Sequence, residues 1–77
     1  MPEELTENQK RLFHMIKTWI KNGALSARFT FKIKNDEIYF SPKELQIPWP
    51  NFEEDFDALV KSGFLKKFPD NSYVSKS

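Results

Sequence analysis

The chain has no cysteine, a single histidine and only two glycines in 77 residues. Without cysteine it has no disulfide framework and no thiolate metal site. His14 has no partner at ligand spacing, so no metal centre is expected. Two glycines do not make a phosphate-cradling loop. No hydrophobic run approaches the roughly 18 residues that a membrane-spanning helix needs, and no signal-peptide pattern is found. A cysteine-free chain without such a signal points to an intracellular, cytoplasmic home. Repeats and low-complexity segments are absent as well. A chain this short makes one domain, here residues 1–77, burying only about 60% of its unfolded surface. The aromatic content of 16%, eight of the rings being Phe, compensates for that.

Near-neutral net charge conceals a segmented pattern. Residues 8–35 carry seven bases (Lys10, Arg11, Lys17, Lys21, Arg28, Lys32, Lys34) and no acid. Residues 36–57 carry seven acids against Lys43 alone. The chain is polarised rather than basic, which bears on any nucleic-acid partner. Glu53, Glu54, Asp55 and Asp57 superficially resemble paired catalytic carboxylates. Consecutive helix positions point in different directions, however, and acids in a first turn complement the helix dipole. No enzyme activity and no cofactor are expected.

Thr6 with Gln9 three residues on forms a capping box for a first helix, ended by Asn22-Gly23. Its buried stripe is Leu12, Phe13, Ile16, Trp19 and Ile20, with Lys10, His14, Lys17 and Lys21 mostly opposite. That lysine face is either a solvated surface or a phosphate-facing one. From Phe29 to Phe40 apolar and polar residues alternate with period two around Asn35-Asp36, a turn pair that tolerates positive φ. In this register Lys34 opposes Glu37, Ile33 opposes Ile38 and Phe31 opposes Phe40. Ser41-Pro42-Lys43-Glu44 fits a second capping box, opening a short helix that Ile47-Pro48-Trp49-Pro50 must end. Asn51, with Glu54 three residues on, then caps a third helix whose stripe is Phe52, Phe56, Leu59 and Val60, stopped by Gly63. Two helices so closely joined cross steeply, as in a helix-turn-helix. Gly63–Phe68 reads as a strand, Pro69–Ser72 as a turn and Tyr73–Ser75 as the returning strand. The fold expected is therefore α+β, a winged helix-turn-helix with three helices, a hairpin between the first two and a C-terminal two-stranded wing.

Leu5-Thr6-Glu7-Asn8-Gln9-Lys10, Ile16 and Ile20-Lys21-Asn22-Gly23 resemble the first helix of the DNA-binding domain of LexA-type repressors. Pro50-Asn51-Phe52-Glu53-Glu54, Ala58-Leu59, Lys61 and Gly63-Phe64-Leu65 are similar to that family's recognition helix and entry to the wing. The resemblance covers about half the chain. It implies that Asn51, Glu53 and Glu54 approach base edges, which their chemistry permits. The Ala24–Phe40 hairpin, the Trp49-Pro50 pair, and Asp55 and Asp57 depart from the family pattern.

Two functions follow. In the first the chain is a small DNA-binding protein or transcriptional regulator, with the third helix in the major groove of double-stranded DNA and the wing on phosphates. Its contacts would be Asn51, Glu53 and Glu54, with Lys43, Trp49, Lys66, Lys67, Asn71, Arg28 and Lys32 around them. In the second it is a protein-interaction module, docking on a basic partner or forming a homodimer through the hairpin. Trp49 either plugs the core or stands exposed for stacking.

Overall fold

A computed structural model describes residues 5–75. At the start of those residues Leu5 packs against the core. Helix α1 spans Glu7–Asn22. Thr6 Oγ1 accepts from the Gln9 amide, and Gln9 Oε1 accepts from the Thr6 amide, so the capping box is formed. Gly23, at φ 82°, ends the helix. The Ala24 amide reaches the Trp19 carbonyl at 2.8 Å and the Gly23 amide that of Ile20 at 3.2 Å, a Schellman closure.

Strands β1 (Arg28–Lys34) and β2 (Glu37–Ser41) form the hairpin in the register read from the sequence. Asn35 and Asp36 at its tip have φ of 52° and 62°, the signature of a primed turn. The stretch after Ser41 departs from expectation. Pro42–Glu44 is a turn and Leu45–Pro48 is a strand, β3, so there is neither a second helix nor a helix-turn-helix. A helix confined between Ser41 and Pro48 could not recover its nucleation penalty, with σ about 10⁻³. Leu45 and Ile47 instead pair with Phe40 and Ile38, and both pack against the core. Period two wins over an isolated cap.

Helix α2 (Phe52–Lys61) is the helix expected to be third. Phe52, Phe56 and Leu59 are buried, as the stripe requires. Its predicted cap is not formed. Asn51 sits before the helix at φ 61° and its side chain makes no capping bond. At the other end Gly63 has φ 86°, and the Phe64 amide reaches the Leu59 carbonyl at 3.0 Å. Strands β4 (Leu65–Lys67) and β5 (Tyr73–Ser75) follow, joined through Pro69–Ser72.

This C-terminal pair does not stand alone as a two-stranded wing. Arg28 and Phe29 of β1 pair with Val74 and Tyr73 of β5, giving one antiparallel sheet in the order β3-β2-β1-β5-β4. The α+β class holds; the three-helix winged architecture does not. Both helices cover one face. Phe31 packs edge-on against Phe52 and Phe56 at centroid distances of 5.0 and 4.7 Å, and Trp19 of α1 lies 6.0 Å from Phe40. The two T-shaped Phe31 contacts suit the ring quadrupole, and all three pairs close a core whose centre is Leu12, Ile16, Phe29, Ile38 and Leu59.

Candidate nucleic-acid interface

Among the described residues, no helix or strand covers the other face of the sheet. Alternation along β1 places Arg28, Thr30, Lys32 and Lys34 there, and all four are exposed. The ladder sets Tyr39 beside Lys32 and Glu37 beside Lys34, while Val74 separates Arg28 from Lys66. Tyr39 is 38% exposed. At strand positions on this face Glu37 is the sole carboxylate among the described residues, and Gln46 of β3 donates a hydrogen bond to it.

The β4–β5 turn folds over one end of the face and fixes Arg28. The guanidinium donates to Ser72 Oγ at 2.7 Å and to Asp70 Oδ2 at 2.9 Å. Ser72 Oγ donates in turn to Asp70 Oδ1 at 2.6 Å, and the Ser72 amide does so at 3.1 Å. Those two bonds from Ser72, with the smaller effect of Arg28, hold the Asp70 carboxyl below its ordinary value. Beneath them lies Phe68, with the Arg28 Cζ 4.2 Å and the Lys66 Nζ 5.3 Å from its ring centroid. A guanidinium over a ring face makes a cation–π contact, and its planar group can also stack on a base. Arg28 is thus held by Ser72, Asp70 and Phe68, whereas Lys32 and Lys66 have no hydrogen bond or ion pair among the described residues.

Of the residues expected to contact DNA, Arg28, Lys32 and Lys66 lie together on this face, and Asn71, at φ 68°, is in the turn beside Arg28. The others are elsewhere. Lys67 pairs with Tyr73 and so stands on the helix-covered side, at its exposed edge. Lys43 donates to the Gly23 carbonyl at 3.0 Å, at the end of α1. Trp49 is half-buried against the core and its Nε1 donates to Asp55 Oδ2 at 2.9 Å, so the plug reading holds rather than the exposed one. Gln9 Nε2 approaches the other Asp55 oxygen at 3.4 Å. Asn51, Glu53 and Glu54 are exposed at the start of α2. That helix borders the core side of the sheet, away from the basic face. Tyr39 and Phe68 were not anticipated as site residues. Tyr39 was within reach, because the register that opposes Ile33 to Ile38 also sets Tyr39 against Lys32. Phe68 was not, since its position depends on the turn closing over Arg28.

The chain is thus defined as a two-layer α+β protein with a basic, uncovered antiparallel sheet. No family model matches it, and no curated protein or solved structure is detectably similar. The likeness to LexA-type repressors rests on the short motifs alone. No helix among the described residues is long and apolar enough to cross a membrane.

Proposed function

We propose that the chain is a small nucleic-acid-binding regulator that lays a single strand across the open face of its sheet. One observation carries the reading: Arg28, Lys32, Lys34 and Lys66 share that face with exposed Tyr39 and, among the described residues, one strand carboxylate, Glu37. A strand advances about 3.4 Å per residue, so the cationic row from Arg28 to Lys34 runs about 20 Å. That row is long enough for a short extended single-stranded segment. Lys32 and Lys66 would neutralise phosphates, while Tyr39 and the Phe68-backed guanidinium would stack on bases. An open sheet face suits an extended strand better than a duplex groove. The major-groove reading built on α2 finds no electrostatic support, because Glu53, Glu54 and Asp57 crowd its exposed side. A cytoplasmic setting agrees with the absence of cysteine.

Those same three acids favour a second reading, a basic protein docking on α2. Dimerisation through the hairpin has less to draw on, since Phe31, Ile38 and Phe40 already face the helices.

Titrating the labelled chain with a ten-nucleotide single strand, then with duplex, distinguishes the readings by amide shifts. Shifts at Arg28–Lys34, Tyr39 and Lys66–Phe68 that fade with salt are expected. Absence of shifts at low salt, or shifts confined to Glu53–Asp57, would overturn the sheet reading.

A further inference from the structure

A second basic concavity lies away from the open face, between α1 and the edge where β1 begins and β5 ends. It has a volume of about 460 Å³ and is lined by His14, Lys17, Thr18, Lys21, Ala27 and Ser75. Small-molecule sites span about 300–1,000 Å³. His14, Lys17, Thr18 and Lys21 fall at i, i+3, i+4 and i+7 of one helix, hence on one side of it. No acid occurs in residues 8–35, and neither lysine forms an ion pair among the described residues. Lys21 complements the negative end of the α1 dipole, and Lys17 Nζ stands 5.3 Å from the Phe13 ring centroid. Neither contact neutralises a charge. On the opposite wall the Ser75 hydroxyl is buried and has no hydrogen-bond partner among the described residues. A buried polar atom in that condition is destabilising until a ligand or water reaches it.

We propose that this cleft is a phosphate-binding site, independent of the sheet face. Lys17 and Lys21 supply the charge, and the hydroxyls of Thr18 and Ser75 with an imidazole N–H of His14 donate hydrogen bonds to the oxygens. The ligand class is a phosphate dianion, either free or at the end of a phosphorylated molecule. Two cations and hydroxyl donors opposite one another match its charge and its tetrahedral spread of acceptors.

The test is an amide-shift titration of the full chain with inorganic phosphate, ionic strength held constant with sodium chloride. Saturable shifts at His14, Thr18, Lys21, Ala27 and Ser75 are expected. Lys17→Ala with Lys21→Ala should weaken binding by about tenfold or more, and Ser75→Ala by about threefold. Lys61→Ala, on the far helix, should leave it unchanged. Linear shifts without saturation, or equal binding by the double variant with its spectrum otherwise intact, overturn the proposal. A 5′-phosphorylated trinucleotide and its unphosphorylated counterpart separate the sources. Tighter binding of the phosphorylated strand than of inorganic phosphate assigns the group to a nucleic-acid end, and equal binding assigns it to free phosphate. Either result supports the site.

Discussion

Charge removal from the open face has a calculable consequence. For single strands, log K falls with log salt by about 0.7 for each phosphate neutralised. Of the four cations, Lys32 and Lys66 form no ion pair among the described residues, Arg28 is tied to Asp70, and Lys34 sits across from Glu37. Two working contacts give a slope of about −1.4, and four give about −2.8. Raising salt from about 50 to 200 mM should then reduce affinity between about sevenfold and about 50-fold. Lys32→Ala should flatten the slope by about 0.7, as should Lys66→Ala, similarly for all base sequences. Asp70→Asn should act in the opposite direction, steepening it by up to about 0.7 as Arg28 loses its counter-charge. Lys67→Ala, on the other side of the sheet, should change nothing. Fluorescence anisotropy of a labelled oligothymidylate over a salt series measures each slope. A wild-type slope near zero, or a Lys32→Ala slope equal to it, would refute phosphate contact at this face.

Other outcomes follow from the packing. Trp49→Phe removes the indole donor from half-buried Asp55 and should destabilise by about 1–2 kcal/mol in urea unfolding, with strand affinity intact. Loss of affinity there would restore Trp49 as a contact residue. Leu59→Ala, at a site with 0% exposure, should cost about 2–5 kcal/mol, comparable with the whole stability of so small a domain, so much of the variant should be unfolded at 25 °C by circular dichroism. The Asp70 carboxyl, lowered from 3.8 in the fold, contributes stability that is complete above 3.8 and lost as pH falls through the folded value. The stability gap between wild type and Asp70→Asn should accordingly stay level near neutrality and narrow below pH 3.8; a gap widening with acid would contradict the assignment.

What could be read from the residues followed local chemistry. Thr6–Gln9, Gly23 and Gly63 mark helix ends through contacts within a few residues. The alternation from Phe29 to Phe40, with Asn35-Asp36 at its centre, fixes a hairpin register on its own. Misreading began where local signals conflict. Ser41-Pro42-Lys43-Glu44 has the letters of a cap, yet Leu45 and Ile47 are two apart, and the neighbouring Phe40 and Ile38 offer them a ladder. Asn51 also has the letters of a cap, but the chain leaving Pro50 enters α2 through a left-handed residue and turns its side chain away. The site was half legible for the same reason. Arg28 and Lys32 follow from alternation along one strand, whereas their union with Lys66 and Phe68 needs β1 to pair with a strand over forty positions later, at Arg28↔Val74. Composition carries no trace of that pairing.

Among the described residues the β1–β5 seam is short, Arg28↔Val74 and Phe29↔Tyr73, and Arg28 clamps it from above through Ser72 and Asp70. Arg28 is thus shared between closure of the sheet and the surface offered to a polyanion. A phosphate that draws Arg28 away from Asp70 works against the seam, so part of the binding free energy would be spent loosening the join between the two hairpins. Reciprocity then requires that whatever tightens the seam weakens the ligand, a coupling of opposite sign to ordinary ligand stabilisation. Faster amide exchange at Phe29 and Tyr73 in the complex than in the free chain would be its signature, and the C-terminal hairpin would serve as the adjustable half of the platform.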